Sequence, residues 1–218
     1  MYLKWAEERI TDWSETNVER MYGRGFVFTR LGKGVMQQTR SMRVDLSKFE
    51  LSSENRRILG KTDELGIVNY ELWDGSFKYD WSIAKMAKDF YDTKFGDRTF
   101  SANKAKELLT DETKSNFNTL LNFGNGYAIC YASKNILHYS YPFYSLSGET
   151  AKSMGLGMMT QAVQWAKEVG KKYVYLGSAQ RPTDTYKLQF TGIEWWDGSK
   201  WQTDLDTLRG HLRGSSKR

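Results

Sequence analysis

The sequence predicts an α+β fold in which a mixed, mainly antiparallel sheet is flanked by helices. Three apolar segments of strand character follow one another closely, and they are "NFNTLLNFG", "GYAICYAS" and "NILHYSYPFY". The separators "GNG" and "SKN" are typical of hairpin turns. Segments with helical spacing precede and follow this set, and the apolar strand "KKYVYLG" comes after the last of them. Consecutive hairpins pair their strands antiparallel, so most of the sheet is expected to be antiparallel.

The N-terminal elements are predicted to be two short helices and two strands. "SETNVERMYGRGF" begins with Ser14, a favoured N-cap residue, and ends on Gly23 and Gly25, which stop a helix. "FVFTR" is a strand candidate, and "SMRVDLSKF" places apolar residues at every second position, as a strand does. Ser52 or Ser53 is then expected to begin a helix over "ENRRIL".

Helices and strands alternate through the rest of the chain. "DWSIAKMAKDFYDTKFG" has apolar residues at helical intervals, and Ser101 is the expected cap of the next helix. After the three strands, "ETAKSMGLGMMTQAVQWAKEVG" is predicted to be a glycine-bearing loop that turns into a helix ending at Gly170. "PTDTYKLQF" predicts a short helix from Thr183, with Asp184 as an N-cap-like residue. "GIEWWDGSKW" predicts a strand, an Asp-Gly turn and a return strand.

This order of elements is that of the GCN5-related N-acetyltransferase fold. In that fold the loop before the main helix presents backbone N–H groups to a phosphate, and the helix dipole favours the anion. "KSMGLG" supplies Lys152 at the position of the fold's Arg or Gln, followed by Gly155 and Gly157. The segment is therefore either a phosphate-binding loop or a plain turn. The anion would be the pyrophosphate of coenzyme A or a phosphate at a tRNA end, and the loop does not distinguish them.

Composition favours a folded protein with an acidic partner. Aromatic residues make up 15% of the chain, eight of them Trp, which excludes a disordered chain. The net charge of +6 favours nucleic acid as the partner. The positive charge is concentrated in a stretch without acids, which carries Arg20, Arg24, Arg30, Lys33, Arg40 and Arg43. A single domain over 1–218 is expected, with residues 1–62 as a basic N-terminal portion packed on it.

The single cysteine and the lengths of the apolar runs exclude several kinds of site and of protein. Cys130 is the single cysteine, so an internal disulfide and a multi-cysteine metal site are excluded. Its apolar neighbours indicate a buried strand residue rather than a nucleophile. No apolar run approaches the roughly 20 residues of a membrane span, and the N-terminus does not read as a signal peptide. A cytoplasmic protein without a membrane partner and without a metal is expected.

Two longer segments resemble blocks of a known family and stand in the order that the family has. The C-terminal one is "YVYLGSAQRPTDTYKLQFTGIEWWDGSKW" and the N-terminal one is "SMRVDLSKFELSSENRRILGKT". They resemble blocks of the arginyl-tRNA–protein transferases and their bacterial leucyl-transferring relatives, and "YGRGFVFTRLGKG" looks like the family's opening Gly-Phe segment. The matching positions are Tyr175, Leu176, Gly177, Tyr186, Lys187, Phe190, Glu194, Gly198 and Trp201, and Arg43, Val44, Phe49, Ser52, Arg56, Arg57 and Leu59.

The resemblance implies that an amino acid leaves an aminoacyl-tRNA and is joined to a free α-amine of a protein or peptide N-terminus. The tRNA is then a co-substrate and no further cofactor is needed. The alternatives are an N-acetyltransferase that uses acetyl-CoA and a non-catalytic RNA-binding module on the same fold. The family's N-terminal cysteines are absent, and Tyr141-Pro142 and Ser178-Ala179-Gln180 depart from the family pattern. The donated amino acid and the acceptor are therefore left open.

Four residues are candidates for catalysis under this resemblance. His138 is a candidate general base or a structural histidine, and Glu194 would hold or deprotonate the acceptor amine or would pair with a nearby lysine. Lys187 would steady a phosphate or a developing oxyanion, and Tyr186 would hydrogen-bond the ester oxygen. Because the donor ester is activated, positioning is expected to supply most of the catalysis.

Phosphate binding is assigned to cations and glycines that lie apart in the sequence. The candidates are Lys152, Gly155, Gly157, Arg40, Arg43, Arg56 and Arg57. The adjacent pair Arg56 and Arg57 is either a solvated helix face or a contact to nucleic-acid phosphate whose binding weakens with salt. The tryptophans of "EWWDGSKW" would stack on a terminal adenine, although core packing of at least two of the three is expected.

Overall fold

The structure, a computed structural model, describes residues 3–62, 66–147 and 151–214. Its helices are α1 Glu15–Gly23, α2 Ser53–Leu59, α3 Trp81–Phe95, α4 Ala102–Thr110, α5 Ala151–Glu168 and α6 Leu205–Gly214, with a 3₁₀ helix at Pro182–Gln189. Its strands are β1 Ala6–Arg9, β2 Phe26–Phe28, β3 Val35–Gln38, β4 Ser41–Asp45, β5 Val68–Glu71, β6 Thr119–Asn122, β7 Gly126–Ala132, β8 Ile136–Tyr144, β9 Tyr173–Ser178, β10 Ile193–Trp196 and β11 Trp201–Gln202. None of the helices in these ranges is both long enough and apolar enough to cross a membrane.

The strands form one large sheet and one small sheet. The large sheet has eight strands in the order β11-β10-β4-β9-β8-β7-β6-β5, and the small sheet has the order β1-β3-β2. Strands β8 and β9 pair parallel, and the other recorded pairs are antiparallel. Helix α5 connects the parallel pair, as such a crossover requires.

Short polar side chains determine where the helices begin. Ser14, Ser52 and Ser101 each accept a hydrogen bond from the backbone N–H three residues later, which satisfies a donor that the helix leaves free. The predicted starts of α1, α2 and α4 are confirmed. Asp80 caps α3 in the same way, accepting from Ser82 N.

Helices cover both faces of the large sheet. On one face α1, α3 and α4 contribute buried residues such as Met21, Ala87 and Leu108 to the core. On the other face α5 and α6 contribute residues such as Val163 and Leu208. The predicted class is confirmed: this is an α+β fold with a mixed, mainly antiparallel sheet flanked by helices.

Several features differ from the sequence prediction. Helix α5 begins at Ala151, so the loop predicted over the glycines that follow is wrong. β1, β3, β5 and α6 were not predicted at all, although Leu208 and Leu212 lie four residues apart on α6 and are fully buried. β4, from the basic N-terminal portion, lies between β9 and β10 inside the large sheet. The single domain over 1–218 stays a prediction.

Candidate active site

The parallel strands β8 and β9 diverge after a short paired segment. Their register ends at His138 opposite Tyr175, whereas β8 continues to Tyr144 and β9 to Ser178. Both strands are irregular where they separate. Ser140 is an extra residue in the pairing of β8 with β7, and β9 has its own register shift against β4. Such bulges bend strands and are frequent next to active sites.

A cleft of about 490 Å³, called here the interstrand cleft, lies where the two strands separate. β8 contributes His138, Ser140 and Tyr141, and β9 contributes three further lining residues, 176–178. The remaining lining residues are Val27, Phe28, Thr29, Arg30, Leu31, Gln37, Arg181 and Lys187. The small sheet therefore forms one wall, and the segment after β9 forms the other.

The interstrand cleft is positively charged. Arg30, Arg181 and Lys187 line it, and no carboxylate is among the described lining residues. Arg30 is fixed in place because its Nη2 donates to Thr99 O at 2.6 Å. A cleft of this charge attracts anionic ligands and repels cationic ones.

His138 lies on the paired part of β8 and is buried. Its Nδ1 is 2.8 Å from the hydroxyl of Tyr22, and Phe28 N–H lies within 3.5 Å of the same hydroxyl oxygen. Burial, and then the charge of Lys187, lowers the pKa of His138 to about 3. A ring with so low a pKa is neutral and weakly basic near pH 7. These surroundings favour the structural alternative over the predicted role of general base, and both stay predictions.

Lys187 is a buried lysine at the edge of the interstrand cleft. It belongs to the 3₁₀ helix, and its Nζ donates to Ser178 O at 3.0 Å. Burial lowers the pKa of its ammonium. A protonated lysine has three N–H donors, so this contact leaves two for a ligand. The location suits the predicted role of stabilising an oxyanion or a phosphate, and that role stays a prediction.

Tyr186 precedes Lys187, and its side chain is 45% exposed. The surrounding protein raises the pKa of its phenol, so the hydroxyl is protonated at neutral pH and can donate a hydrogen bond. Donation to an ester oxygen, the predicted role, requires this protonated form. The two neighbours in sequence thus point different ways: Tyr186 toward solvent, and Lys187 into the protein.

Arg43 and Glu194 lie in surroundings that do not suit their predicted roles. Arg43 Nη2 lies 2.7 Å from Glu194 Oε2, and both side chains are largely buried. The guanidinium is also enclosed by the rings of Tyr173 and Trp201, at 4.1 and 4.0 Å. Lys48 contacts the other carboxylate oxygen at 3.4 Å. Pairing and burial disfavour phosphate binding by Arg43 and amine binding by Glu194, and those roles stay predictions. Glu194 is paired, as the alternative interpretation expects, but its shortest contact is with Arg43 rather than with a lysine.

The glycines of "KSMGLG" permit close packing of α5. A Cβ on Gly157 would lie 2.5 Å from Thr62 Oγ1, and one on Gly155 would lie 3.1 Å from the hydroxyl of Tyr144. Both glycines lie inside the helix, each with another side chain against it, rather than in a loop that presents N–H groups to an anion. Lys152 belongs to the first turn of α5, and its side chain lies outside the described residues. Phosphate binding by this segment stays a prediction.

The three remaining predicted arginines differ in their partners: two contact backbone carbonyl oxygens and one forms an ion pair. Arg40 is half-buried, which lowers the pKa of its guanidinium, and its Nη1 lies 3.4 Å from Ala179 O. Arg56 is exposed and donates to Leu51 O at 2.6 Å. Arg57 is exposed and forms an ion pair with Glu54. None of the three lines the interstrand cleft.

The tryptophans and the cysteine occupy positions that packing determines. Trp195 and Trp196 are buried, as expected for two of the three tryptophans, and Trp201 covers Arg43. Cys130 is buried in β7, and burial raises the pKa of its thiol, so the expected structural role is confirmed.

Three residues at or behind the interstrand cleft were not among the site residues chosen from the sequence. Arg30 and Arg181 line the cleft and supply charge, and Tyr22 lies buried behind it and holds His138. Arg30 belongs to the stretch without acids, which was the available signal. Tyr22 and Arg181 had no such signal, because the fold brings them to the site from distant parts of the chain.

Comparisons with known proteins assign no family. No family model matches the chain, and no curated protein matches it. Solved structures with some likeness include the C-terminal domain of a protein described as a lysylphosphatidylglycerol synthetase from Agrobacterium fabrum (14% identity, TM-score 0.45). They also include L-PGS from Bacillus licheniformis (13% identity, TM-score 0.45) and FemX (11% identity, TM-score 0.43).

The overlap with these structures is uneven. The likeness to the Agrobacterium fabrum domain covers 94% of this chain and 58% of that one. For L-PGS the shares are 94% of this chain and 71% of that one, and for FemX they are 78% and 61%. At these identities and scores the likenesses assign the chain neither a family nor an activity.

Proposed function

We propose that this chain is an aminoacyltransferase that moves an amino acid from an aminoacyl-tRNA to the free α-amine of a protein or peptide N-terminus. The observation that carries the proposal is the interstrand cleft, which is lined by three cations and no described carboxylate. The phosphates near the 3′ end of a tRNA are the anions that such a cleft would attract. The distributed resemblance to arginyl-tRNA–protein transferases supports the same substrate.

The chemistry needs a positioned ester and amine rather than a strong nucleophile. The amine nitrogen attacks the ester carbonyl carbon, a C–N bond forms, and the C–O bond to the tRNA ribose breaks. The amine loses a proton, and the leaving ribose oxygen gains one. An α-amine has a pKa of about 8, so a useful fraction is already unprotonated near neutral pH.

Lys187 and Tyr186 have separate roles in this proposal. The two free N–H donors of Lys187 would stabilise the negative charge that develops on the carbonyl oxygen, and a buried cation does this more strongly than one in water. Tyr186 would donate its hydroxyl proton to a ligand oxygen at the rim. His138 would position the cleft wall by its bond to Tyr22, without exchanging a proton.

The glycine segment does not separate the two donors. Its two glycines lie inside α5 against Tyr144 and Thr62, and a phosphate bound there would belong to coenzyme A or to a tRNA end. The divergence of β8 and β9 is compatible with either donor. A cleft of this charge would also attract the phosphates of coenzyme A, so the alternative is decided by experiment.

Product mass tests the function directly. Purified protein is incubated with a pool of aminoacyl-tRNAs and N-terminal peptides, and mass spectrometry identifies any added mass. A peptide that gains one amino-acid residue is the expected result. A gain of an acetyl group in a parallel reaction with acetyl-CoA, with none from aminoacyl-tRNA, would establish the alternative. Binding of tRNA without any product would indicate the non-catalytic RNA-binding module.

A further inference from the structure

A continuous series of aromatic rings leads from the interstrand cleft to the surface. Tyr141 lines the cleft and stacks on Phe100, with ring centres 5.5 Å apart and planes at 12°. Phe100 contacts Tyr91 at 4.9 Å, and Tyr91 contacts Phe95 at 5.5 Å. Phe95 is the last residue of α3. The series therefore ends at a helix terminus beside the rim of the cleft.

Two arginines of the cleft lie on this series of rings. The guanidinium of Arg30 is 4.9 Å from the centre of the Phe100 ring, and that of Arg181 is 5.3 Å from the centre of the Phe95 ring. Arg181 also lines the cleft, so Phe95 lies immediately next to it. The combination of a cation and an aromatic ring is therefore repeated, once inside the cleft and once at its rim.

The rim member differs from the inner one in its exposure. Phe100 is fully buried, whereas Phe95 is 48% exposed. A single exposed apolar residue needs no explanation by itself. An exposed ring that carries a guanidinium and borders a cationic cleft has the composition of surfaces that bind single-stranded nucleic acid.

We propose that the exposed ring of Phe95 stacks on the unpaired terminal adenine of a tRNA, and that Arg181 contacts a phosphate of the same strand. The proposal rests on the proposed function for the choice of RNA. The charge of the cleft selects the occupant, because Arg30, Arg181 and Lys187 favour a polyanion over an apolar protein surface. Phe95 takes the stacking role that the sequence analysis assigned to the tryptophans, because Trp195 and Trp196 are buried in the core.

The experiment uses the full-length protein and two uncharged tRNAs that differ in one nucleotide. One tRNA ends in CCA and the other lacks the terminal adenosine. Dissociation constants are measured by fluorescence anisotropy for the wild type, Phe95→Ala, Phe95→Trp and Trp81→Ala. Trp81 is a matched control, because it is the first residue of α3, is 68% exposed and lies at the opposite end of the helix from Phe95.

The expected result is a difference between the two RNAs that depends on Phe95. The wild type should bind the CCA form about 5- to 100-fold more tightly, the range that one base–aromatic stack gives. Phe95→Ala should remove this difference and leave the affinity for the shortened tRNA within about twofold of the wild type. Phe95→Trp should keep the difference, and Trp81→Ala should change neither affinity.

Several outcomes would overturn the stacking proposal. They are a wild type that does not distinguish the two RNAs, and a Phe95→Ala variant that weakens both equally or neither. A melting temperature measured for each variant shows whether a loss reflects unfolding, and Phe95→Trp provides a second test if Phe95→Ala is unstable. The outcomes also separate this proposal from the function. Stacking without any mass gain on a peptide leaves the adenine site in place on a protein that does not transfer.

Discussion

Four residues form a row across the large sheet, and the positive charges at its two ends differ in their partners. His138, Tyr175, Arg43 and Glu194 are direct neighbours on β8, β9, β4 and β10. At one end Arg43 is bonded to Glu194 and covered by two aromatic rings. At the other end His138 lies beside Lys187, and both line the interstrand cleft, whose described lining residues include no carboxylate.

The two ends of the row are called here the closed end, at Arg43 and Glu194, and the open end, at His138 and Lys187. The Arg43–Glu194 pair has its charges matched inside the protein, so it needs nothing from outside. Lys187 is also desolvated, but its described hydrogen bond goes to a carbonyl oxygen, and Asp184 acts on it only through its charge. A buried titratable group with a perturbed pKa in a cleft is a candidate functional residue.

The largest expected effect is on stability, at the closed end of the row. Arg43→Met removes one partner of a buried ion pair and leaves the carboxylate of Glu194 with Lys48 alone. Breaking such a pair lowers the free energy of unfolding by about 3–5 kcal/mol. Urea unfolding measured at pH 7 checks this value.

Two further variants sharpen that prediction. Replacing both partners, as in Arg43→Met with Glu194→Leu, should recover most of the loss, because no uncompensated charge remains. Arg57→Met breaks an exposed pair with Glu54 and should lower the free energy of unfolding far less than Arg43→Met does. If Arg43→Met and Arg57→Met lower the free energy of unfolding by similar amounts, the buried pair contributes no more to stability than the exposed one, and the prediction is wrong.

At the open end the expected pattern is the reverse. Lys187→Met keeps the length of the side chain but removes a buried charge, so stability should be unchanged or higher. Transfer should fall about 10²-fold or more, the loss seen when a donor to an oxyanion is removed. The two readouts are urea unfolding and the rate of mass gain on the peptide.

Lys171 offers a matched control for Lys187. It is a partly buried lysine whose Nζ donates to a carbonyl oxygen, that of Ser133, and burial lowers the pKa of its ammonium too. It does not line the interstrand cleft. Lys171→Met should therefore leave transfer unchanged. If both variants slow transfer equally, the special role of the cleft lysine is refuted.

The next effect is a pH dependence that His138 confers on stability. Its folded pKa of about 3 lies below the ordinary value of 6.5, so between these values the unfolded chain binds a proton that the folded chain does not. Stability from this group is complete above pH 6.5 and is lost as the pH falls. Between pH 6 and pH 4 the free energy of unfolding should fall by roughly 1 kcal/mol for each pH unit.

A comparison of two variants isolates this contribution. His138→Gln should lack that part of the slope, because glutamine does not titrate and its amide can still bond the Tyr22 hydroxyl. His211→Gln changes the other, exposed histidine and should keep the wild-type slope. Unfolding curves at pH 4, 5 and 6 provide the measurement. Parallel slopes in the wild type and His138→Gln would show that His138 can be protonated in the folded state.

The sequence predicted the elements that local chemistry determines. The helix starts at Ser14, Ser52 and Ser101 follow from capping, and the hairpins follow from alternation and turn residues. The start of α5 was wrong because glycines usually mark loops. Here they allow Tyr144 and Thr62 to approach the helix, which depends on residues far away in the sequence.

The candidate site could be predicted only in part, for a similar reason. His138 and Lys187 were selected and do border the cleft. Arg43 and Glu194 were selected for their charges, but the pairing that neutralises them depends on the adjacency of β4 and β10. Whether a charged residue is available to a ligand depends on its partner, and a partner 151 residues away does not show in local sequence.

The smallest expected effect concerns Arg56 and Arg57, two neighbouring arginines of α2 that differ in their partners. Arg56 contacts a carbonyl oxygen, whereas Arg57 is paired with the carboxylate of Glu54. If α2 contacts nucleic-acid phosphate, Arg56→Gln should weaken tRNA binding a few-fold. It should also lower the slope of log affinity against log salt by about 0.9, the value for one phosphate contact. Arg57→Gln should change both less, because Glu54 already offsets its charge. Gel shifts at two salt concentrations measure these changes, and equal effects of the two variants, or none, would return both arginines to an ordinary solvated helix face.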